Sequence, residues 1–256
     1  MTIKAEKKGP VAWLTLARPE AMNAMSRDMV DEMISSLRSW EVDPDVRVVA
    51  ITGTGRAFSS GADLKRSRAP EAPGQPDFLD VITIFFDLIR NYPKPVIAAV
   101  NGLALAGGME AVLACDFVVA ARSARFGDGH SNFGVFPGGG GAAILPRKIP
   151  VNIAKYLLFS GESLPAEDMK TYGLVTEVVA DEDLVARVQA IGEKLALKSP
   201  GVLRRMKRVA NEAADKSVAD GLRHETLELR NHQRSYDFQE GLQAFKEKRR
   251  PMFKGY

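Results

Sequence analysis

Apolar runs with the composition of β-strands alternate with helical patterns through roughly the first 180 residues of the chain. Strands are predicted at 11–17, 46–52, 96–100 and 117–120, and helices at about 26–40, 77–92 and 107–116. Chains in which strands and helices alternate in this way fold into α/β architectures. The pattern therefore predicts an α/β fold.

The pattern changes after about Asp181, where helical segments follow one another to the end of the chain. An amphipathic helix is predicted at 183–198, and further helices at about 200–214, 218–234 and 238–248. We therefore predict two regions, a core of residues 1–199 and a helical C-terminal region of residues 200–256.

The composition is that of an ordinary globular protein, with 45% hydrophobic and 26% charged residues among 256. The net charge is only +3, and basic residues cluster only near the tail, at Lys246, Lys248, Arg249 and Arg250. Such a cluster is most often a solvated helix end, and a site for an anionic ligand is the alternative. No helix-turn-helix, zinc-finger or RRM signature accompanies it, so a nucleic-acid partner is not expected.

The N-terminal segment, residues 1–10, is polar and has no apolar signal core. Apolar stretches reach about ten residues, whereas roughly 20 are needed to span a bilayer. The single cysteine, Cys115, stands in an apolar run and is expected to be a buried, inert thiol, which suits a reducing compartment. These features predict a soluble, cytoplasmic protein without a membrane partner.

Three segments are rich in glycine, at 57–65, 101–110 and 136–141, and the first is expected to belong to a loop at 53–65. Glycine lets the backbone approach a ligand and present bare N–H groups. At a helix N-terminus these groups also carry partial positive charge. Two such N–H groups from different loops could polarise one carbonyl, as in an oxyanion hole. Tight turns and a flexible loop are the alternatives for glycine alone.

Glu110 lies three residues after Gly107, in the first turn of a predicted helix. Its sequence neighbours Leu105, Met109 and Leu113 are apolar. Its carboxylate is therefore expected to be partly desolvated, with a raised pKa that suits general acid–base catalysis. A surface carboxylate that compensates the helix dipole is the alternative.

These segments resemble the signature of the enoyl-CoA hydratase/isomerase (crotonase) family, which is matched at 97–102, 106–108 and 113–117. Further matches run in order along nearly the whole chain, at 18–24, 60–64, 126–127, 134, 137–138, 161, 166, 173–175, 240–241, 244–245 and 248–251. The resemblance is highly specific for the family and much less so for the reaction.

The resemblance implies a crotonase-like spiral of ββα units with a helical C-terminal region, assembled as homotrimers or hexamers. It implies an acyl-CoA thioester as substrate and no separate cofactor, because coenzyme A is part of the substrate. The thioester oxygen would lie between the backbone N–H groups of Ala62 and Gly107. The coenzyme A arm would contact Glu20, Ala21, Met22, Ala62, Asp63, Leu64, Lys65 and Gly107, and its phosphates could meet Lys248 or Lys254.

The chain departs from the family pattern at one catalytic position. Hydratases of the family use two glutamates to hold a water, and Glu110 matches the first, whereas His130 stands at the second. Histidine titrates near neutrality, so a Glu110–His130 pair can still exchange protons, and Asp128 could orient the imidazole. A loop histidine that only bonds its neighbours is the alternative. Two possible ligands do not make a metal site, so no metal is expected.

Three hypotheses follow. The first is a 2-enoyl-CoA hydratase that uses Glu110 and His130, and the second is a double-bond isomerase or thioester hydrolase of the same family. The third is a non-catalytic protein that binds CoA thioesters or RNA. A serine nucleophile is set aside, because Ser59 and Ser60 do not stand at the start of the Gly107 helix.

Overall fold

The computed structural model describes residues 2–63 and 76–256. The strands in these residues are β1 (Ile3–Lys8), β2 (Val11–Leu16), β3 (Val48–Gly53), β4 (Ala57–Ser59), β5 (Val96–Val100), β6 (Leu103–Leu105), β7 (Phe117–Ala121), β8 (Arg125–Gly127), β9 (Ser163–Pro165) and β10 (Glu177–Val179). The α-helices are α1 (Arg27–Val42), α2 (Phe78–Arg90), α3 (Gly107–Ala114), α4 (Leu145–Lys148), α5 (Val151–Ser160), α6 (Ala166–Thr171), α7 (Leu184–Ala196), α8 (Pro200–Ala213), α9 (Val218–His232) and α10 (Tyr236–Glu247).

Successive ββα units wind into a spiral, because the two strands of each unit enter different sheets. β3, β5 and β7 are parallel neighbours in a six-stranded sheet with the order β1-β2-β3-β5-β7-β10. β4, β6 and β8 are parallel neighbours in a four-stranded sheet with the order β4-β6-β8-β9. The predicted crotonase-like α/β spiral is confirmed.

The sequence pattern did not predict two kinds of strand, a polar strand at the edge of a sheet and strands of only three residues. β1 pairs antiparallel with β2 at the edge of the larger sheet, yet only Ile3 of its residues is buried, so it lacks apolar alternation. Its lysines suit an edge strand, since charge there discourages pairing with other chains. β4 lies within the predicted loop 53–65, and that prediction is wrong for Ala57–Ser59, because a strand of three residues is too short to show periodicity.

Helices cover the larger sheet and close the core. The apolar face of α1, with Met29, Met33 and Leu37, is fully buried, and Ser26 caps the helix by accepting from the Met29 N–H. Asp77 forms a reciprocal capping box with Asp80 at the start of α2. α1 packs against α2, and α2 packs against α3, the helix that carries Glu110.

The C-terminal region begins with α8, whose cap Ser199 accepts from the Val202 N–H at 3.2 Å. The division into a core of 1–199 and a helical region of 200–256 remains a prediction. Arg249 of the basic cluster is held by Glu240 and Glu247, so this residue serves the local structure. Within the described residues, no helix is both long and apolar enough to cross a membrane.

Candidate active site

Two asparagine side chains, the buried Asn23 and the half-buried Asn101, tie together the turns that follow the central strands. Asn101 Oδ1 accepts from the Gly53 N–H at 2.9 Å, and its Nδ2 donates to the carbonyls of Gly55 and Ala57. Asn23 Nδ2 donates to the Ala57 carbonyl at 2.7 Å. Backbone groups that would otherwise be buried without partners are thereby satisfied, which fixes the entry to β4. Both residues lie in segments that match the family, but their role in bracing these turns was not predicted.

The two predicted oxyanion loops touch each other. Met25 donates to the Gly61 carbonyl at 2.8 Å and accepts from the Asp63 N–H at 2.9 Å, which holds Ala62 between these bonds. A Cβ placed on Gly61 would lie 2.9 Å from the Gly107 nitrogen. The N–H groups of Ala62 and Gly107 have no acceptor among residues 2–63 and 76–256. The structure thus brings to one place two amides that have no acceptor in the described part of the chain.

The turn that presents Gly107 has unusual backbone geometry. Ala106 adopts φ 48° and ψ −122°, a region that residues with a Cβ rarely occupy. Its N–H donates to the Gly127 carbonyl at 3.1 Å, which pins the turn to β8. Strain of this kind is concentrated at functional sites. The sequence offered no signal for it, because alanine gives no hint of a positive φ.

The predicted coenzyme A segment lies beside the first loop. Met22 accepts from the Ser60 N–H at 3.0 Å, and Glu20 is exposed. Asp63 pairs with Arg18 at 3.0 Å, and both side chains are largely buried, with 12% and 13% exposed. Ala21 lies in the same short turn, Pro19–Ala21. Leu64 and Lys65 lie outside the described residues, so the structure leaves these two predicted contacts open.

Glu110 lies on the first turn of α3 and is only 4% exposed. Its Oε1 accepts from the N–H groups of Gly139, at 2.6 Å, and Gly141, at 3.1 Å. The glycine-rich segment 136–141 therefore clamps one carboxylate oxygen. A Cβ on Gly139 would lie 2.1 Å from the Phe86 ring and 2.9 Å from Glu110 Oε2, so only glycine fits.

Burial raises the pKa of Glu110 above its ordinary value. The two backbone hydrogen bonds and the charge of His130 stabilise the anion and oppose that rise, and the charge of Asp128 adds to it. The result is a carboxylate that gains a proton more readily than one in water. This property suits a group that must take up and release a proton.

His130 opens a short 3₁₀ turn, His130–Phe133, and its side chain is only 13% exposed. Its Nδ1 lies 2.8 Å from Oδ1 of Asp128. Burial opposes the charged imidazolium, but the hydrogen bond to Asp128 and the charges of Asp128 and Glu110 outweigh it. The pKa of His130 is therefore raised, and the charges of His130 and Glu110 act on each other.

Other residues singled out by the sequence are held in contacts of their own. Cys115 is buried as predicted, and burial raises its pKa to about 12. The hydroxyl of Ser59 is buried and donates to the Asn23 carbonyl, which leaves no free nucleophile there. Lys254 stacks its ammonium 4.4 Å from the centre of the Tyr236 ring. Within the described residues, no group of three or more His, Cys, Asp or Glu could hold a metal ion.

The structure combines a spiral of ββα units with two neighbouring backbone amides, one of them at the start of the helix that carries the buried Glu110. The sequence profile of the enoyl-CoA hydratase/isomerase family matches residues 6–256. The chain belongs to this family.

Proteins of similar sequence and a solved structure agree with the family profile. A probable mitochondrial enoyl-CoA hydratase of Dictyostelium discoideum is 35% identical, over 98% of this chain and 90% of the relative. A crotonyl-CoA hydratase of Syntrophomonas wolfei is 35% identical, over 97% of this chain and 96% of the relative. The crystal structure of an enoyl-CoA hydratase from Bacillus anthracis has a TM-score of 0.93 and 36% identity, and covers 100% of both chains. The prediction of an enzyme of this family, acting on acyl-CoA thioesters, is confirmed.

Proposed function

We propose that this protein adds water to the double bond of a 2-enoyl-CoA thioester. The observation that carries the proposal is the buried Glu110 carboxylate, which Gly139 and Gly141 hold by one oxygen close to the unpaired amides of the oxyanion loops. The hydratase names of the full-length relatives support the same reaction.

The amides of Ala62 and Gly107 would grip the thioester oxygen. When a nucleophile attacks the carbon β to the thioester, the electron pair of the double bond moves to that oxygen and forms an enolate. Fixed N–H dipoles stabilise such charge strongly, because they need no reorganisation as the charge develops. Removing one such donor typically costs about 10²–10³ in kcat.

Glu110 and His130 would divide the proton transfers. Ionised Glu110 removes a proton from water as the water oxygen bonds to the β carbon. The imidazolium of His130 then delivers a proton to the α carbon as the enolate collapses. Transfer of the proton from Glu110 to His130, directly or through solvent, restores the starting state. The direction of each shift supports this division, because a raised pKa makes Glu110 a stronger base and favours the charged form of His130.

We assign the remaining contacts on the same basis. Glu20, Ala21, Met22, Asp63, Leu64 and Lys65 would line the coenzyme A arm, with Lys248 or Lys254 near its phosphates. No further cofactor is needed for this reaction. Exposed apolar side chains on the C-terminal helices support a homotrimer or hexamer, among them Met206, Leu222, Leu227, Leu229 and Phe245. A cytoplasmic location is proposed, and cell fractionation tests it.

Crotonyl-CoA tests the proposal directly, because water addition removes the absorbance of the conjugated enoyl group. Release of a free thiol would instead indicate a hydrolase. A rise in enoyl absorbance from a 3-enoyl-CoA, with crotonyl-CoA left intact, would indicate an isomerase. Binding of crotonyl-CoA without any of these changes would place the protein among non-catalytic CoA-thioester binders and overturn the proposal.

A further inference from the structure

Asp128 is buried more completely than either proposed proton carrier, with 1% of its surface exposed. It follows β8 directly, so the strand fixes its backbone. Its Oδ1 lies 2.8 Å from Nδ1 of His130 and accepts from the His130 backbone N–H at 3.2 Å. The second bond closes an Asx turn, which an asparagine side chain can also form.

The other oxygen of Asp128 has a different environment. Oδ2 is fully buried and has no hydrogen-bond partner among residues 2–63 and 76–256. The position that a Cβ on Gly141 would take lies 2.5 Å from Oδ2 and 3.5 Å from Oε1 of Glu110. The two carboxylates therefore flank the same bare stretch of backbone. Burying a carboxylate oxygen without a hydrogen bond costs free energy, so Oδ2 of Asp128 does not stabilise the fold at this place.

We infer that Asp128 is a positioning residue of the active site: its Oδ1 sets the tautomer and orientation of His130, and its Oδ2 places negative charge beside Glu110. The inference rests on the proposed function in that His130 and Glu110 are taken as the proton carriers.

The chemistry of the contact fixes the tautomer. An ionised carboxylate can only accept hydrogen bonds, so the hydrogen shared with Asp128 must belong to Nδ1 of His130. Nε2 is then the nitrogen that exchanges a proton with substrate or water. When His130 becomes charged, Asp128 balances that charge inside the protein, as carboxylates do for catalytic histidines in general.

Few other charges act on His130. Glu110 of α3 faces it, and α5, which packs against its turn, carries Lys155 and Tyr156, both of them exposed. The charge of Asp128 raises the pKa of His130 and also that of Glu110. Removing the charge of Asp128 should therefore lower the pKa of both His130 and Glu110.

Nitrogen NMR of protein labelled with ¹⁵N-histidine tests the effect of Asp128 on the tautomer of His130, without any measurement of activity. The chain has only three histidines, and the His130→Gln variant identifies the signal of His130. We expect neutral wild-type His130 to carry its hydrogen on Nδ1. We expect Asp128→Asn to keep the turn but to lower the titration midpoint of His130. A wild-type hydrogen on Nε2, or an unchanged midpoint in Asp128→Asn, overturns the inference.

The pH profile of kcat/KM for crotonyl-CoA tests whether the charge of Asp128 also acts on Glu110. Asp128→Asn should shift both limbs of the profile to lower pH, whereas a purely structural Asp128 would leave both limbs in place. Asp168→Asn is the matched control, because it removes one exposed carboxylate on α6. Absence of turnover in the wild type, with the expected NMR result, would contradict the proposed function and leave the positioning role standing.

Discussion

The backbone N–H of Gly139 donates to Oε1 of Glu110 at 2.6 Å, and this contact joins the glycine-rich segment to the first turn of α3. Gly141 adds a second bond to the same oxygen, at 3.1 Å. One carboxylate oxygen is thereby occupied, while the second is free to act on a proton. The arrangement resembles a clamp on the carboxylate more than a flexible loop, and it underlies the predictions that follow.

Replacing Glu110 by Gln should remove most of the hydration activity. The amide cannot take a proton from water, and general acid–base catalysis typically contributes about 10²–10⁴ in rate. The measurement is kcat with crotonyl-CoA, accompanied by the Kd of the thioester, which should change little. Glu167→Gln, an exposed change on α6, is the control. Full activity of Glu110→Gln would contradict the proposed role of this carboxylate.

Gly139→Ala should be far more damaging than Gly138→Ala. A Cβ at 139 would lie 2.1 Å from the Phe86 ring, whereas a Cβ at 138 meets only the end of the flexible Leu79 side chain, at 3.0 Å. Overpacking of this kind costs about 1–3 kcal/mol, and here it also displaces the clamp on Glu110. The melting temperature and kcat should both fall for Gly139→Ala, and neither should fall for Gly138→Ala. Equal behaviour of the two variants would show that the clamp is unimportant.

Gly61→Ala should abolish activity through the oxyanion loops. Gly61 has φ +101°, and a Cβ there would press against the Gly107 nitrogen at 2.9 Å. Gly9→Ala is a matched control for backbone strain, since Gly9 has φ +57° with open space around it. Left-handed strain costs about 1–2 kcal/mol, so both variants should lose stability. Only Gly61→Ala should lose kcat, and a comparable loss in Gly9→Ala would argue against the oxyanion assignment.

The activity should have a bell-shaped dependence on pH. Glu110 must be ionised, so activity falls as pH drops through its pKa, which burial raises above 4.5. His130 must be charged, so activity falls as pH rises through its pKa, which lies above 6.5 because Asp128 and Glu110 outweigh the opposing effect of burial. In His130→Gln the alkaline limb should disappear along with most of the rate. If the alkaline limb survives in His130→Gln, that limb belongs to another group.

Local signals in the sequence were enough to predict much of the molecule. The predicted helices at 26–40 and 77–92 begin at caps, Ser26 and Asp77, whose contacts lie within one helical turn. The contact of Asp128 with His130 spans two residues and was anticipated for the same reason. Family resemblance supplied the spiral, which periodicity alone could not distinguish from other α/β folds.

Hydrophobic periodicity thus predicted the α/β class and the positions of most helices, and the family resemblance singled out Glu110 and His130 as a pair. Tertiary structure alone decided which of these residues meet. The parallel pairing of β4 with β6 sets Gly61 against Gly107, and folding brings Gly139 and Gly141 to a glutamate 29 and 31 residues earlier in the chain. Such contacts depend on strand register and on the packing of distant loops, which no local pattern in the sequence encodes.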